Sequence, residues 1–327
     1  MTSVKVAILG FGTVGEGIYN IFQEKREQFK EKLGVDLEVA KILVRDVSKK
    51  REGIDAALFT DKMEDVLAVP NLDVVFEAIV GEEPAYSYVN QALDNRVNIV
   101  TANKVMFAKF GDTLQEKAAK LGVQVGFEAT TAGGVPVIKT IENILRVNSA
   151  KHIQGILNGT SNYILSKMRL EGVTFEEALK TAQQLGYAEA DPHNDVSGQD
   201  AFKKLMILSS LAFGEQPKWE DVKVVGISEI TLAQVQQAAE NGQRYRHIAE
   251  VGLDVAGKVV AKIGPELVDA NHPLYSIDGV DNAVALETDY IGKITLVGPG
   301  AGMYPTASVM IEDYADMIVK KPALVTV

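Results

Sequence analysis

The chain has 327 residues, a net charge of −11 and 46% apolar residues, which suffices for two domains with large cores. The acidic balance disfavours a broad nucleic-acid interface, and the absence of cysteine excludes thiol nucleophiles, thiolate metal sites, disulfides and aldehyde dehydrogenases that work through a cysteine thioester. No apolar run approaches the roughly 20 residues of a membrane span, and the N-terminus enters a strand pattern without a charged-then-apolar leader, so a cytoplasmic protein is expected.

Residues 4–9 form a β-rich apolar run that leads into Gly10, Phe11, Gly12, Thr13, Val14 and Gly15, and then into a helical pattern carried by Ile18, Ile21, Phe22, Phe29 and Leu33. Strand, GxGxxG and helix in that order predict a dinucleotide site: Gly10 for a tight turn, Gly12 for close approach of a pyrophosphate, Gly15 for helix packing, and the phosphates on the helix N-terminus. The polar residues 23–32 read as a solvated helix face. A second strand over 37–44 ends at Arg45 and Asp46, where an acid would hold a ribose 2′-hydroxyl or an arginine a 2′-phosphate. Arg45 with Lys49, Lys50 and Arg51 favours NADP, with NAD as the alternative.

A buried strand over 72–79, a helix from about Pro84 and a strand over 98–104 continue the alternation, which predicts a parallel, doubly wound sheet. Thr101, Asn103 and Lys104 fall at a strand's carboxyl end, where ligands of such sheets bind. After a strand over 124–128, residues 129–136 make a turn with two glycines and a proline; its carbonyls, with Glu128, suit a hard cation, although an interdomain turn is the simpler use.

Gly159 and Thr160 read as a helix entrance, and Tyr163 with Lys167 as one helical turn rather than a short-chain dehydrogenase acid. Strands are expected over 246–253, 258–263, 283–288 and 292–297. The glycine-rich residues 298–305 then enter a helix over 306–319 that returns to the first domain. The expected domains are 1–134 rejoined by 300–327, and 135–299. His152, His193, His247 and His272 lack metal-ligand spacing.

The chemistry is densest over 186–204, which holds Glu189, Asp191, Asp195 and Asp200 with Lys203 and Lys204. Pro192 and Gly198 oppose helix in its first half, while Ser197 followed by Asp200 is a capping-box pattern, so a helix is expected from about Gly198. At about 100° per residue, Lys203 points away from the apolar face and Lys204 lies only about 70° from its centre, one turn after Asp200. Lys203 should be solvated and Lys204 partly buried beside a carboxylate.

Taken together, the glycine loop, Thr101 to Lys104, Glu128 to Pro136, Asn158 to Ile164, Gly186 to Pro192 and Asp200 to Lys204, all in order, make the chain resemble homoserine dehydrogenase over essentially its whole length. The resemblance implies a Rossmann domain followed by an α+β catalytic and dimerisation domain with an open sheet. It implies interconversion of L-homoserine and L-aspartate 4-semialdehyde with NADP or NAD, in the pathway to threonine, methionine and isoleucine. Lys204 would donate and accept the proton, and Lys104 would sit between substrate and nicotinamide. Glu189 and Asp200 would hold the substrate, with Asp195 and Thr160 near it. Phe11, Thr13, Val14, Arg45, Gly186 and Gly302 would touch the cofactor. Glu128 and the backbones of Thr131, Gly133 and Val135 would hold a monovalent cation, sodium, Thr131 standing where an aliphatic residue is common. A homodimer through the second domain's sheet is implied as well.

A sugar or cyclitol dehydrogenase of the two-domain Rossmann type fits less well, since a neutral polyol gives no reason for so many carboxylates. A redox-sensing binder of NADP would leave the lysines unexplained. Many relatives carry a C-terminal ACT domain after the helix expected to end near Val319, and this chain stops at Val327. Threonine feedback is therefore not expected, and a titration in which threonine strongly inhibits turnover would contradict that expectation.

Overall fold

Chain alternation in the first third resolves, in a computed structural model that describes residues 2–320, into one sheet of six parallel strands. These are β1 (Thr2–Leu9), β2 (Val35–Leu43), β3 (Phe59–Thr60), β4 (Leu72–Glu77), β5 (Asn98–Thr101) and β6 (Val125–Gly126), ordered β3-β2-β1-β4-β5-β6. The order reverses between β1 and β4, which marks the crevice at their carboxyl ends as the ligand position of a doubly wound sheet. Successive residues of β1 serve opposite cores. Val6 and Ile8 join Ile18, Phe22 and Tyr314 on one side, and Ala7 and Leu9 join Val89, Leu93, Met106 and Leu114 on the other. Burial on both faces is why these strands read as continuous apolar runs.

Among the described residues, 2–130 with 302–320 form one compact unit and 131–301 a second. Residues 321–327, assigned above to the first domain, lie outside the described residues. The second unit has its own six-stranded sheet, built from β7 (Ala150–Ile156), β8 (Lys223–Val224), β9 (Arg244–Leu253), β10 (Val259–Val268), β11 (Asp281–Thr288) and β12 (Lys293–Pro299) in the order β12-β11-β7-β9-β10-β8. All neighbours are antiparallel except β10 and β8. The helices Gly159–Glu171, Gln199–Phe213 and Leu232–Glu240 pack on this sheet, so the expected α+β unit with an open sheet is present.

On its other face, cross-strand polar pairs run through Gln154, Glu250 and Lys262, with Gln154 Nε2 3.1 Å from Glu250 and Lys262 Nζ 3.1 Å from Glu250 and 2.7 Å from Glu266. A cavity of about 390 Å³ beside them is lined by His152, Asp269, His272, Glu287 and Lys293.

Several elements differ from the sequence expectation. β7 had not been expected, because His152, Gln154 and Gly155 blunt its pattern; its place between β11 and β9 supplies the pairing that its own residues do not announce. The single helix expected from Ile18 to Leu33 is two, Thr13–Glu24 and Arg26–Leu33, joined at Lys25. The second buries no residue and is tied to β2 by Arg26, whose Nε and Nη2 lie 2.7 and 2.8 Å from the Asp36 carboxylate. The strand expected over 98–104 stops at Thr101 because Asn103 caps a helix over Lys104–Leu121.

In the second unit Arg246 of β9 is 1% exposed, the largest fully buried side chain among the described residues. Its guanidinium donates to Asp278 at 2.7 Å, to the Tyr275 carbonyl at 2.6 Å and to Asn162 Oδ1 at 3.1 Å. Asp278 also takes Arg169 at 2.8 Å and Arg244 at 3.5 Å. Burial would raise the Asp278 carboxyl, but hydrogen bonds from Arg246 and Arg169 hold it below its ordinary value. Removing that anion leaves a buried cation uncompensated. Asp278→Ala is therefore expected to cost about 3 kcal/mol, read as a lower denaturant midpoint, with Asp278→Asn recovering part of it. An unchanged midpoint for Asp278→Ala would show that the remaining acceptors of Arg246 suffice.

Candidate active site

Asp200 and Lys204 stand one turn apart on the helix Gln199–Phe213, 5% and 7% exposed, with Lys204 Nζ 2.9 Å from Asp200 Oδ2. Such a pair on a surface helix is worth only about 0.3–0.5 kcal/mol. In the interior both charges lose water, and the arrangement persists only where their remaining hydrogen-bonding capacity is met. Lys204 Nζ also donates to the Leu157 carbonyl at 2.6 Å, and Asp200 Oδ2 accepts from Asn158 Nδ2 at 2.9 Å. The same amide nitrogen donates to Asp195 Oδ1 at 2.8 Å.

Asn158 thus holds two carboxylates at once. Its other end, Oδ1, accepts from the Ser161 N–H at 2.8 Å and caps the helix Gly159–Glu171. Ser161 Oγ donates to the Asp195 carbonyl, and Thr160 Oγ1 to the Tyr187 carbonyl at 2.6 Å. Lys204, Asp200 and Thr160, all buried, and the half-buried Asp195 are therefore gathered in the second unit as one polar set. Asn158 had been read only as part of a motif; its position ahead of Gly159, Thr160 and Ser161 at a helix start was the signal that could have singled it out. Glu189 is exposed on the adjoining loop, its main-chain carbonyl accepting from Gln183 at 3.1 Å, and Gly186 is exposed in a left-handed turn.

The capping box expected at Ser197 does not form. A short helix, His193–Val196, ends at Ser197, whose N–H goes to the His193 carbonyl, and the cap of the next helix is Gly198 at φ +87. Ser197 is consequently helical in backbone rather than extended, its buried hydroxyl has no partner, and Asp200 turns to Asn158 and Lys204. A side chain at Gly198 would also meet the His247 ring at 3.1 Å. Lys203 is half-buried rather than solvated, with Nζ 3.4 Å from the Gln199 carbonyl. Tyr163 and Lys167 sit on one helix, where Lys167 pairs with Glu171 at 2.6 Å.

In the first unit, β1 runs through Gly10, Phe11 and Gly12 into the helix Thr13–Glu24. A Cβ at Gly10, where φ is +91, would lie 2.7 Å from the Ala78 carbonyl, and one at Gly15 would lie 2.1 Å from that of Gly10. At Gly12 nothing lies within 4 Å. Gly12 is also the helix cap and makes no side-chain cap bond, so the first-turn N–H groups of Thr13 and Val14 and the helix dipole favour an anion there. The residues present fit the pyrophosphate of a dinucleotide.

Phe11 packs edge-on against Phe59 and Tyr19, and the Arg51 guanidinium lies 4.5 Å from the Phe59 centroid. Arg45 is exposed at the end of β2, next to Asp46, whose carboxyl is held below its usual value by hydrogen bonds from the Ser48 hydroxyl and N–H. Thr101 ends β5, and Lys104, half-buried, is the first residue of the helix that Asn103 caps by accepting from the Met106 N–H at 3.0 Å. Gly302, at φ +127, precedes the helix Met303–Lys320. Glu77, read from the sequence only as part of a strand, is fully buried, and that burial pushes its carboxyl up to about 7.

Glu128 is 1% exposed in a single turn, Glu128–Thr130, and its N–H donates to Asp313 Oδ2 at 2.9 Å. Thr131 and Val135 are buried in the second unit, Gly133 has φ +57, and the Val135 carbonyl accepts from the Val137 N–H at 2.8 Å. Among the described residues no group of three or more His, Asp or Glu side chains could hold a metal ion. No described helix is long and apolar enough to cross a membrane.

A doubly wound parallel sheet of this order, a glycine loop feeding a helix N-terminus, and a separate unit that buries a lysine among carboxylates define a nicotinamide-dependent oxidoreductase of Rossmann type. Residues 10–128 match the family model for the homoserine dehydrogenase NAD-binding domain, and residues 136–315 that for homoserine dehydrogenase. A Pseudomonas aeruginosa homoserine dehydrogenase is 41% identical over 97% of this chain and 73% of its own length. The crystal structure of a homoserine dehydrogenase from Thiobacillus denitrificans superposes with a TM-score of 0.91 at 38% identity, covering 97% of this chain and 74% of that one. A hyperthermophilic archaeal homoserine dehydrogenase solved in complex with NADPH gives 0.82 at 27% identity, covering 98% and 99%. The chain belongs to the homoserine dehydrogenase family.

The glycine geometry separates packing from ligand binding. Gly12→Ala, whose methyl enters open space, is expected to keep the thermal midpoint of the parent and to bind NADPH at least tenfold more weakly, about 1.4 kcal/mol. Gly15→Ala, which drives a methyl into a carbonyl, is expected to lower the midpoint by several degrees. Equal effects of the two on stability, measured by calorimetry, would refute the distinction.

Proposed function

We propose that the chain interconverts L-homoserine and L-aspartate 4-semialdehyde with NADP, NAD being the alternative, and so serves the formation of threonine, methionine and isoleucine from aspartate. The buried Lys204–Asp200 pair in a member of this family is the observation that carries the reading. The nicotinamide, when bound, supplies or accepts the hydride. During reduction of the aldehyde, negative charge grows on the carbonyl oxygen; the Lys204 ammonium stabilises it and then transfers a proton to it, and in the oxidative direction Lys204 takes the proton from the hydroxyl. Lys104 assists as a second cation in that reaction.

Asp200 and Asp195, fixed by Asn158, and Glu189 from the exposed loop bind the substrate's ammonium group, with Thr160 beside them. Gly10, Phe11, Gly12, Thr13, Val14, Gly15, Arg45, Thr101, Lys104, Gly186 and Gly302 serve the cofactor. Support for NADP comes from Arg45, Lys49, Lys50 and Arg51 after β2. Glu128 with the carbonyls of Thr131, Gly133 and Val135 would hold sodium; a hard oxygen donor set fits that ion. The domains are taken as 1–134 with 300–327, and 135–299. A cytoplasmic homodimer, joined through the face of the second sheet that carries Gln154 and Glu250, completes the proposal.

The decisive experiment is the initial rate of reduced nicotinamide formation with L-homoserine, using NADP and NAD separately. Lys204→Ala is expected to lower kcat by about 10²–10⁴-fold with the fold retained, the usual contribution of a general acid/base. No turnover by the parent chain while NADPH still binds would overturn the assignment.

A further inference from the structure

The carboxyl ends of β4 and β5 meet at Glu77 and Thr101, which are paired in register. Glu77 is 0% exposed in a strand that is otherwise apolar at its buried positions. Its two oxygens accept from three donors, one on the loop after β4, one at the end of β5 and one on the loop after it: Oε1 from the Ile79 N–H at 2.7 Å and from Asn103 Nδ2 at 3.5 Å, and Oε2 from the Thr101 hydroxyl at 2.5 Å. Thr101 Oγ1 accepts in turn from the Asn103 N–H at 2.9 Å. Asn103 Nδ2 donates to the Gly81 carbonyl at 2.7 Å, and Asn103 Oδ1 caps the helix that Lys104 begins. One carboxylate therefore ties the loop after β4, the loop after β5 and the first turn of a helix into a single hydrogen-bonded unit.

We propose that Glu77 is a positioning residue for this end of the sheet: its carboxylate sets the loop over 78–83 and, through Asn103, the placement of Lys104. The inference rests on the reading of Lys104 as a participant in the reaction. A burial that serves packing alone gives no reason for an acid here, since a buried carboxylate is costly and an apolar or amide side chain would fill the space. Three accepted hydrogen bonds require both oxygens as acceptors; a proton on either turns one acceptor into a donor.

Burial pushes the carboxyl up to about 7, against the bonds from Thr101, Ile79 and Asn103, so the proton competes with this role near neutral pH. The charged groups on the segments around it are Glu82, Glu83, Lys104 and Lys109, of which Glu82 and Lys109 pair with each other at 2.8 Å; β1 alongside contributes Ala7, Ile8 and Leu9.

The sign follows from the raised value. Relative to an unfolded carboxyl, Glu77 favours the fold most at acid pH, and that contribution is lost as pH rises through about 7. Stability and function should then move in opposite directions, the ionised form holding the loops at a cost in stability.

Glu77→Gln mimics the protonated state and tests this in the full chain by three measurements. Hydrogen exchange at pH 8 should accelerate at the Ile79 and Met106 amides, two whose acceptors depend on the latch. The fall of the thermal midpoint from pH 5 to pH 8 should be smaller in the variant than in the parent. With L-homoserine, kcat/KM should fall by about 10–100-fold at pH 8, the scale of a misplaced group, and the ionisation near 7 should vanish from its pH profile.

A variant that is less stable yet keeps the parent's exchange at Ile79 and Met106 and the parent's pH profile would reduce Glu77 to packing and overturn the proposal. If the parent itself does not turn over L-homoserine, the assigned reaction fails. Accelerated exchange would then still support the latch, and unchanged exchange would sink it.

Discussion

Burial of the Lys204 ammonium against Asp200 is the constraint around which the second unit is arranged. Two opposite charges withdrawn from water gain from each other only if every remaining donor and acceptor is met. Here the Leu157 carbonyl takes one ammonium proton, and Asn158 gives an amide proton to each of Asp200 and Asp195. Asn282 donates to the same Leu157 carbonyl at 3.1 Å and so fixes it from β11. The site thus depends on a helix start, a strand end and a second strand at once, which is why a rigid sheet underlies a loop of carboxylates.

The first unit solves a different problem by different means. There the requirement is close approach of backbone to backbone, and it is met by removing side chains rather than by pairing charges. Gly10 and Gly15 pack against carbonyls where a Cβ has no room, while Gly12 keeps open the space over the helix N-terminus. Opposite electrostatics result: a helix end suited to an anion in one unit, a cluster of carboxylates suited to a cationic group in the other.

Each unit uses the same device, an asparagine bonded at both ends. Asn158 caps the helix Gly159–Glu171 with its oxygen and holds carboxylates with its nitrogen; Asn103 caps the helix Lys104–Leu121 and reaches Glu77 and Gly81 in the same way. In each case a cap worth about 1 kcal/mol to the helix also orients the turn before it. Asn158 stands out from the chain only by its place before a helix, and Asn103 by its place at a strand's carboxyl end.

Elements governed by local pattern were legible from the residues alone. The parallel sheet was readable because strands buried on both faces are apolar runs, the dinucleotide loop because its glycines are required by backbone approach, and Lys204's burial because helical periodicity places it near the apolar face. What local pattern does not encode came from residues far apart in the chain. β7 exists because β9 and β11 flank it, and Glu77 becomes a buried acceptor because Thr101 and Asn103 arrive from the next strand and the loop after it. Periodicity and steric need are properties of neighbouring residues and survive in a linear reading, whereas desolvation and the partners that offset it are created only when distant segments close over a group.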